Sequence, residues 1–376
     1  MNRSLLFVVV ALLLTGIAAF GQDTTIAPSA FGIEVNAIGG KIIRHSEKFP
    51  TDVPSFSVAT DVNFVWQTTG KKDWHQRRGF PVVGVGLTLT DYRSKHIFGR
   101  CAGVYPNLQV PIIRWVNWEW TCRMGVGLAY VTGKYKLLSD LDTLNTAISS
   151  HLNAFPVFAS DIRYRLNSHL DLQGGLTFTH ISNALFREPN LGVNMLGGHL
   201  GVRYFPRISR PFLNHSTLQP LPNRWLLDVR GAISHKVARA TGDPILPAYV
   251  GAVSVSRRWK NKNKVFAGID AAYHKDVYAF LITYGVEYGQ EKQHSWDGGF
   301  FLGNEFMVGR VGILGIVGTY YRQTFLDFEP VYEKLGVKYY LRNVEKGPFR
   351  EVYLSAMLNT HGIVAEYSEF GLGVAF

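Results

Sequence analysis

Within a chain of 376 residues, one short stretch gathers residue types that can perform nucleophilic chemistry. His180 and Ser182 are separated by one residue, Asn183 follows directly, and Pro189-Asn190-Leu191-Gly192-Val193-Asn194 comes after a short gap. On an extended strand, residues i and i+2 share a face about 6.5 Å apart at the backbone. Imidazole and hydroxyl side chains can close that gap to a hydrogen bond. This is the pairing a serine nucleophile needs: the ring takes the hydroxyl proton, and a third group holds the ring. Asn194 is the candidate third group through its carbonyl oxygen. Asn183 and Asn190 are amide donors suited to a developing oxyanion, with loop backbone N–H groups competing for that role. The plainer reading makes His180 and Ser182 interfacial polar residues at the rim of a strand, where they cost little.

The elements around this stretch decide which way it points. About sixteen segments of roughly ten residues alternate with period two. They begin near Ser55, Pro81, Ser94, Gln109, Cys122, Leu152, His169, Asn194, Arg224, Ala248, Lys264, Trp296, Arg310, Lys334, Phe349 and Val364. In the seventh, Leu170, Leu172, Leu176, Phe178, His180 and Ser182 share one face, and Asp171, Gln173, Thr177 and Thr179 share the other. In the eighth, Asn194, Leu196, Leu200, Val202 and Tyr204 oppose His199 and Arg203. Such a pattern predicts an all-β fold, a transmembrane antiparallel β-barrel of about 16 strands (range about 12–18), whose apolar rows face lipid and whose lumen is polar. His180, Ser182 and Asn194 then point outward, at the rim of the membrane, where polar side chains in a lipid-facing row invite a functional question. The connections 132–150, 183–193, 236–246, 276–294 and 323–332 are long and those near Glu119, Asn167, Asn261 and Gly309 short. That places the longer loops after odd strands, on the outer side. The short turn near Pro106 and the long segment 207–222 fit this scheme poorly.

The ends and the composition agree with export to such a membrane. Arg3, the apolar run Leu5 to Leu14, and Ala19-Phe20-Gly21 form a signal peptide over residues 1–21, cleaved before Gln22. The run is short for a spanning helix, which needs about 20 residues. Residues 22–54, with the apolar stretch Phe31 to Ile38, read as an N-terminal periplasmic or plug segment. Residues 55–376 read as a single barrel, since no linker or charge block divides them. The 38 glycines, 13% aromatics and near-zero mean hydropathy suit short strands with aromatic girdles, of which Trp115, Trp118 and Trp120 are one. The last strand alternates Phe370, Leu372, Val374 and Phe376 against Glu369, Gly371, Gly373 and Ala375, and ends on an aromatic. The net charge of +11 favours an anionic partner, lipopolysaccharide of the outer leaflet, and the absence of a basic block argues against nucleic acid. Cys101 and Cys122 fall on non-adjacent strands in this reading, so no bridge is expected. The 12 histidines lack metal-ligand spacing, so neither a metal nor another cofactor is expected.

At His180, Ser182, Asn183, Asn190 and Gly192 the chain resembles the lipid A 3-O-deacylase (PagL) family, also described as acyloxyacyl hydrolase-like. Members carry a His-x-Ser-Asn element, then Asn-x-Gly, then a catalytic acid on the following strand. The resemblance implies an outer-membrane barrel whose triad faces lipid and removes an ester-linked acyl chain from lipid A. On this chain it makes His180 the base, Ser182 the nucleophile, and Asn183, Asn190 and Gly192 the oxyanion and positioning residues. It is specific over residues 180–194 and looser over 55–206. The half from about Pro222 onward lies beyond the family's small barrel. One departure stands out: the acid position holds Asn194. An amide orients a histidine but does not offset imidazolium charge, and in the serine triad an Asp-to-Asn change costs about 10⁴ in rate. Glu188 in the loop is an alternative acid. Arg187 beside it reads as a solvated loop charge, or as a contact to a lipid A phosphate. The competing function is a non-catalytic barrel, a pore or scaffold with a degenerate site, which an open, charge-lined lumen would favour.

Overall fold

The computed structural model of the protein describes residues 30–44, 53–95, 97–136, 144–183, 187–206, 218–221, 223–237, 245–259, 262–326, 329–344, 346–362 and 364–376. Its strands are antiparallel and form two closed barrels of eight. The first comprises β1 (Phe31–Ile43), β2 (Ser57–Gln67), β3 (Val82–Ser94), β4 (Gly99–Arg114), β5 (Trp118–Val131), β6 (Leu152–Arg165), β7 (Leu170–Ile181) and β8 (Val193–Tyr204). The second comprises β9 (Trp225–Val237), β10 (Ile245–Trp259), β11 (Asn263–His274), β12 (Trp296–Val308), β13 (Val311–Arg322), β14 (Val331–Asn343), β15 (Glu351–His361) and β16 (Val364–Ala375). Two helices, α1 (Asp73–Arg77) and α2 (Lys275–Tyr284), sit in connections. Among the described residues no helix is long and apolar enough to cross a membrane. Residues 1–21, read above as a signal peptide, lie outside the described residues.

Sixteen strands agree with the sequence reading, but two differences cancel in that count. Phe31–Ile43 is no plug. It is the first barrel strand, turning Glu34 and Asn36 inward and Val35 and Ala37 outward, and it pairs with both β2 and β8. Conversely, β4 runs unbroken through Pro106, where the sequence suggested a turn. Proline has no N–H to give the ladder, and the β4–β5 register accordingly passes from Val104↔Leu128 to Asn107↔Gly125.

The single barrel expected from the sequence is instead two. β8 closes on β1, from Ile33↔Tyr204 to Ile43↔Asn194, and β16 closes on β9. The long segment 207–222, which fitted badly as a periplasmic turn, therefore joins one closed barrel to the next. Period-two alternation orients each strand's faces but carries no information about which strand a barrel closes on. Eight strands enclose an interior just wide enough for side chains to fill. Arg123, Arg163 and Tyr105 in the first barrel, and Lys264, Tyr332, Tyr340 and Tyr353 in the second, are accordingly fully buried.

Charge inside the first barrel is neutralised by pairing. Arg123 donates to Asp61 (2.8 Å) and Asp161 (3.5 Å), Arg163 reaches Glu34 (3.3 Å), and Arg203 donates to Asp171 (2.6 Å). His199 joins Asp161 at 2.9 Å. The second lumen uses Arg230–Glu369 (2.7 Å), Lys334–Asp270 (2.8 Å) and Lys264–Glu351 (2.5 Å). The lumen is not polar throughout. Where odd strands end and even strands begin, the first barrel is plugged by Ile42, Phe155, Ile181, Val193 and Met195. Outside, Leu89, Phe158, Leu172, Leu176, Leu196 and Leu200 are exposed in a lipid-facing belt. Trp115, Trp118 and Trp120 are exposed at the opposite rim, beside the short β5 entry turn.

Cys101 and Cys122 lie on adjacent strands, a correction to the sequence reading. Register still separates them: Cys101 faces Val131, and Cys122 faces Val110, nine residues along β4. Both thiols are free.

The lumen network yields a stability prediction. Arg123→Leu leaves two buried carboxylates without their shared cation, and breaking such a buried pair costs about 3–5 kcal/mol. Urea titration in detergent, followed by the heat-modifiable gel shift of folded barrels, is expected to show this loss. An unchanged midpoint would mean that Asp61 and Asp161 find other partners.

Candidate active site

The site is built on the β7–β8 hairpin of the first barrel. Strand geometry continues past the end of β7, because Ser182 N donates to Ala154 O (3.3 Å) and Ala154 N donates to Ser182 O (2.8 Å). This bridge holds the register of the β6–β7 ladder, in which Thr179 faces Val157. Ser182 therefore stays in phase with His180. Ile181 between them is fully buried in the apolar plug, whereas His180 and Ser182 are half-buried on the outer face.

Asn194 is the direct cross-strand partner of His180. The His180 Nδ1–H donates to Asn194 Oδ1 at 2.5 Å. A carbonyl oxygen only accepts, so the ring proton resides on Nδ1 and Nε2 carries the lone pair. Gly192 lies against the same ring. It adopts φ +79°, and a Cβ there would stand 2.6 Å from His180 Cε1. The left-handed backbone and the close approach both require glycine.

Asn190 Oδ1 accepts from the Asn183 backbone N–H (2.9 Å), so it staples the start of the loop to its end. The Asn183 side chain is buried and donates through Nδ2 to Ser149 Oγ (3.0 Å). That direction makes it a brace between two loops and weakens its expected role as an oxyanion donor. Arg187 is exposed in the loop and Glu188 is half-buried.

Support from the β5–β6 loop was not legible in the sequence. Leu191 N and Gly192 N donate to Thr146 O (3.2 Å) and Ala147 O (2.9 Å). Asn145 Oδ1 accepts from Ile148 N (3.2 Å), and its Nδ2 donates to Ile97 O (2.7 Å). These partners are some forty residues from the site in sequence and carry no motif of their own.

Below the site, toward the middle of the barrel, the outer face dips. Gly39 pairs with Gly198, and Gly198 with Leu176. Phe56 lies over Gly39, whose Cβ would stand 3.1 Å from that ring. With Leu196 and Lys41 these residues line an open groove of about 360 Å³. The arrangement can activate a hydroxyl toward an ester whose acyl chain lies on the outside of the barrel.

Comparison with known proteins finds a family model for each barrel. The family model described as lipid A 3-O-deacylase (PagL) matches residues 57–203, and the model described as acyloxyacyl hydrolase, C-terminal domain, matches residues 228–376. Each therefore covers most of one barrel, and the half beyond the family's small barrel has a family model of its own. Among solved structures, the outer membrane enzyme PagL is similar over 45% of this chain and 97% of its own, at 13% identity and TM-score 0.30. Neisserial surface protein A is similar over 47% and 97%, at 12% identity and TM-score 0.33. No curated protein sequence matches the chain. With a family model on each of its two barrels, the chain belongs to the lipid A 3-O-deacylase (PagL) and acyloxyacyl hydrolase family, hydrolases of the bacterial outer membrane.

Proposed function

We propose that this protein is an outer-membrane serine esterase that removes an ester-linked acyl chain from lipid A. The observation that carries the reading is the hydrogen bond from His180 to Asn194 on the lipid-facing side of the barrel, with Ser182 held in phase two residues along. Ser182 Oγ attacks the ester carbonyl while His180 Nε2 takes its proton. The imidazolium then returns that proton to the departing alkoxide. Water, activated by the same ring, releases the acyl-enzyme. Asn194 orients the ring and selects its tautomer. The Asn190 side-chain N–H is the oxyanion donor, and Asn183 braces the loop. The groove beneath the site takes the acyl chain. Residues 1–21 serve export.

The partner is the lipid A moiety of lipopolysaccharide, because a site on the outer surface of a barrel meets lipid before it meets any soluble ester. The pore alternative draws no support from lumens filled by fully buried arginine and tyrosine side chains. The test is mass spectrometry of lipid A from cells making the protein and from cells carrying the empty vector. A species lighter by one ester-linked acyl chain is expected only in the former. Identical acylation in both counts against the esterase reading.

Gly192 gives a sharper check on ring positioning. Gly192→Ala puts a methyl 2.6 Å from His180 Cε1 and strains a positive-φ backbone. A displacement of about 1 Å at a catalytic group costs about 10²-fold in rate. Turnover in detergent micelles is expected to fall by that factor while the heat-modifiable shift of the barrel is kept. A wild-type rate would show that the ring position is not critical.

A further inference from the structure

We propose that Lys41 is a specificity-determining residue that holds a phosphate on the substrate headgroup, so that phosphorylated glycolipids are selected over neutral ones. The proposal rests on the esterase reading. Strand pairing lays the outer face around the site in rows. Ile43, Asn194 and His180 form the first; Lys41, Leu196 and Phe178 the second; Gly39, Gly198 and Leu176 the third. The next two rows are Ala37, Leu200 and Gly174, then Val35, Val202 and Leu172. In these five rows Lys41 is the single cation, set among apolar side chains and glycines.

Its setting differs from that of five other strand cations of the first barrel. Arg123, Arg163 and Arg203 face inward onto carboxylates, and Arg100 and Arg114 pair with Asp91 and Glu119. Lys41 is exposed, and among the described residues it has no carboxylate within ion-pair distance. An unpaired ammonium in a lipid-facing row is best satisfied by an anion from the lipid itself. A lysine stem extends toward the interface while its methylenes stay in apolar surroundings. It climbs about one row, roughly 6.6 Å, which brings the ammonium level with Asn194 on the flank opposite Ser182. The same side chain lines the groove below the site. A lipid with its ester carbonyl at Ser182 and its acyl chain in the glycine dip must pass its sugar across Asn194 toward β1. A phosphate on that sugar meets Lys41 as a compact point charge.

The experiment uses the purified full-length protein in detergent micelles with two substrates, lipid A and the same lipid A stripped of phosphate. Lys41→Gln is expected to lower kcat/KM on the phosphorylated substrate about ten- to hundredfold, the factor for losing a charge-assisted hydrogen bond. The loss should appear mainly in KM, spare the dephosphorylated substrate, and be largely rescued by Lys41→Arg. Equal losses on both substrates, or no loss on either, would overturn the proposal and leave Lys41 as an interfacial anchor. If the wild-type protein turned over neither substrate, the esterase reading would fall first and this proposal with it.

Discussion

Ser182→Ala is expected to reduce release of the acyl chain by about 10³- to 10⁶-fold while leaving the first barrel folded. Serine-triad enzymes lose about 10⁶ in turnover when the nucleophile is removed, and what remains comes from oxyanion stabilisation and binding. Ser182 is half-buried on the outer face, away from the lumen network, and its backbone bridge to Ala154 does not need the hydroxyl. Loss of activity would therefore not be a folding defect. Lipid A mass spectrometry gives the cellular readout, and the heat-modifiable gel shift checks the barrel. Activity at the wild-type level would exclude Ser182 as the nucleophile, whatever else the protein hydrolyses.

Asn194→Asp is expected to act in the opposite direction and raise the rate by about 10- to 100-fold. In the serine triad the Asp-to-Asn change costs about 10⁴ because the ring is held in the wrong tautomer. Here that part of the penalty is avoided, because Asn194 presents its carbonyl oxygen to the His180 Nδ1–H. What the amide lacks is charge. A hydrogen bond to an ionised acceptor exceeds a neutral one by about 1–2 kcal/mol, and about 1.4 kcal/mol off the barrier is tenfold in rate. The new carboxylate would have the imidazolium as its counter-ion at the moment of proton transfer, when it counts. Single-turnover acylation on a chromogenic ester would measure the gain. A rate that falls would mean that Asn194 does more than hold the ring, and that its neutral side chain suits the lipid-facing setting.

A good part of this protein is legible in its sequence. The period-two pattern identified strands β5 to β16 closely, and it placed His180, Ser182 and Asn194 on one outer face because side chains alternate strictly along a strand. The hairpin pairing of His180 with Asn194 followed from the same pattern, since neighbours across a short loop lie close in sequence. Other features were hidden for definite reasons. β1 read as a plug segment, because its inward Glu34 and Asn36 make sense as lumen residues only once Asn63, Gln109 and Arg163 stand around the first and Gln173 beside the second. Pro106 imitated a turn, because a proline inside a strand is tolerated only where the ladder can skip a bond.

Sequence alone thus determined that the chain is built from antiparallel membrane strands, which residues look outward, and that His180, Ser182 and Asn194 share one outer face. These are properties of local periodicity and short-range pairing. Tertiary structure decided the rest. It decided that sixteen strands make two barrels, because closure depends on pairing between β1 and β8, and between β9 and β16, strands far apart in the chain. It decided that Asn183 braces a loop through Ser149, a residue thirty-four positions away. It also brought β1 beside β8, and with it Lys41 and the glycine dip beside the site, a neighbourhood that exists only because the barrel is closed.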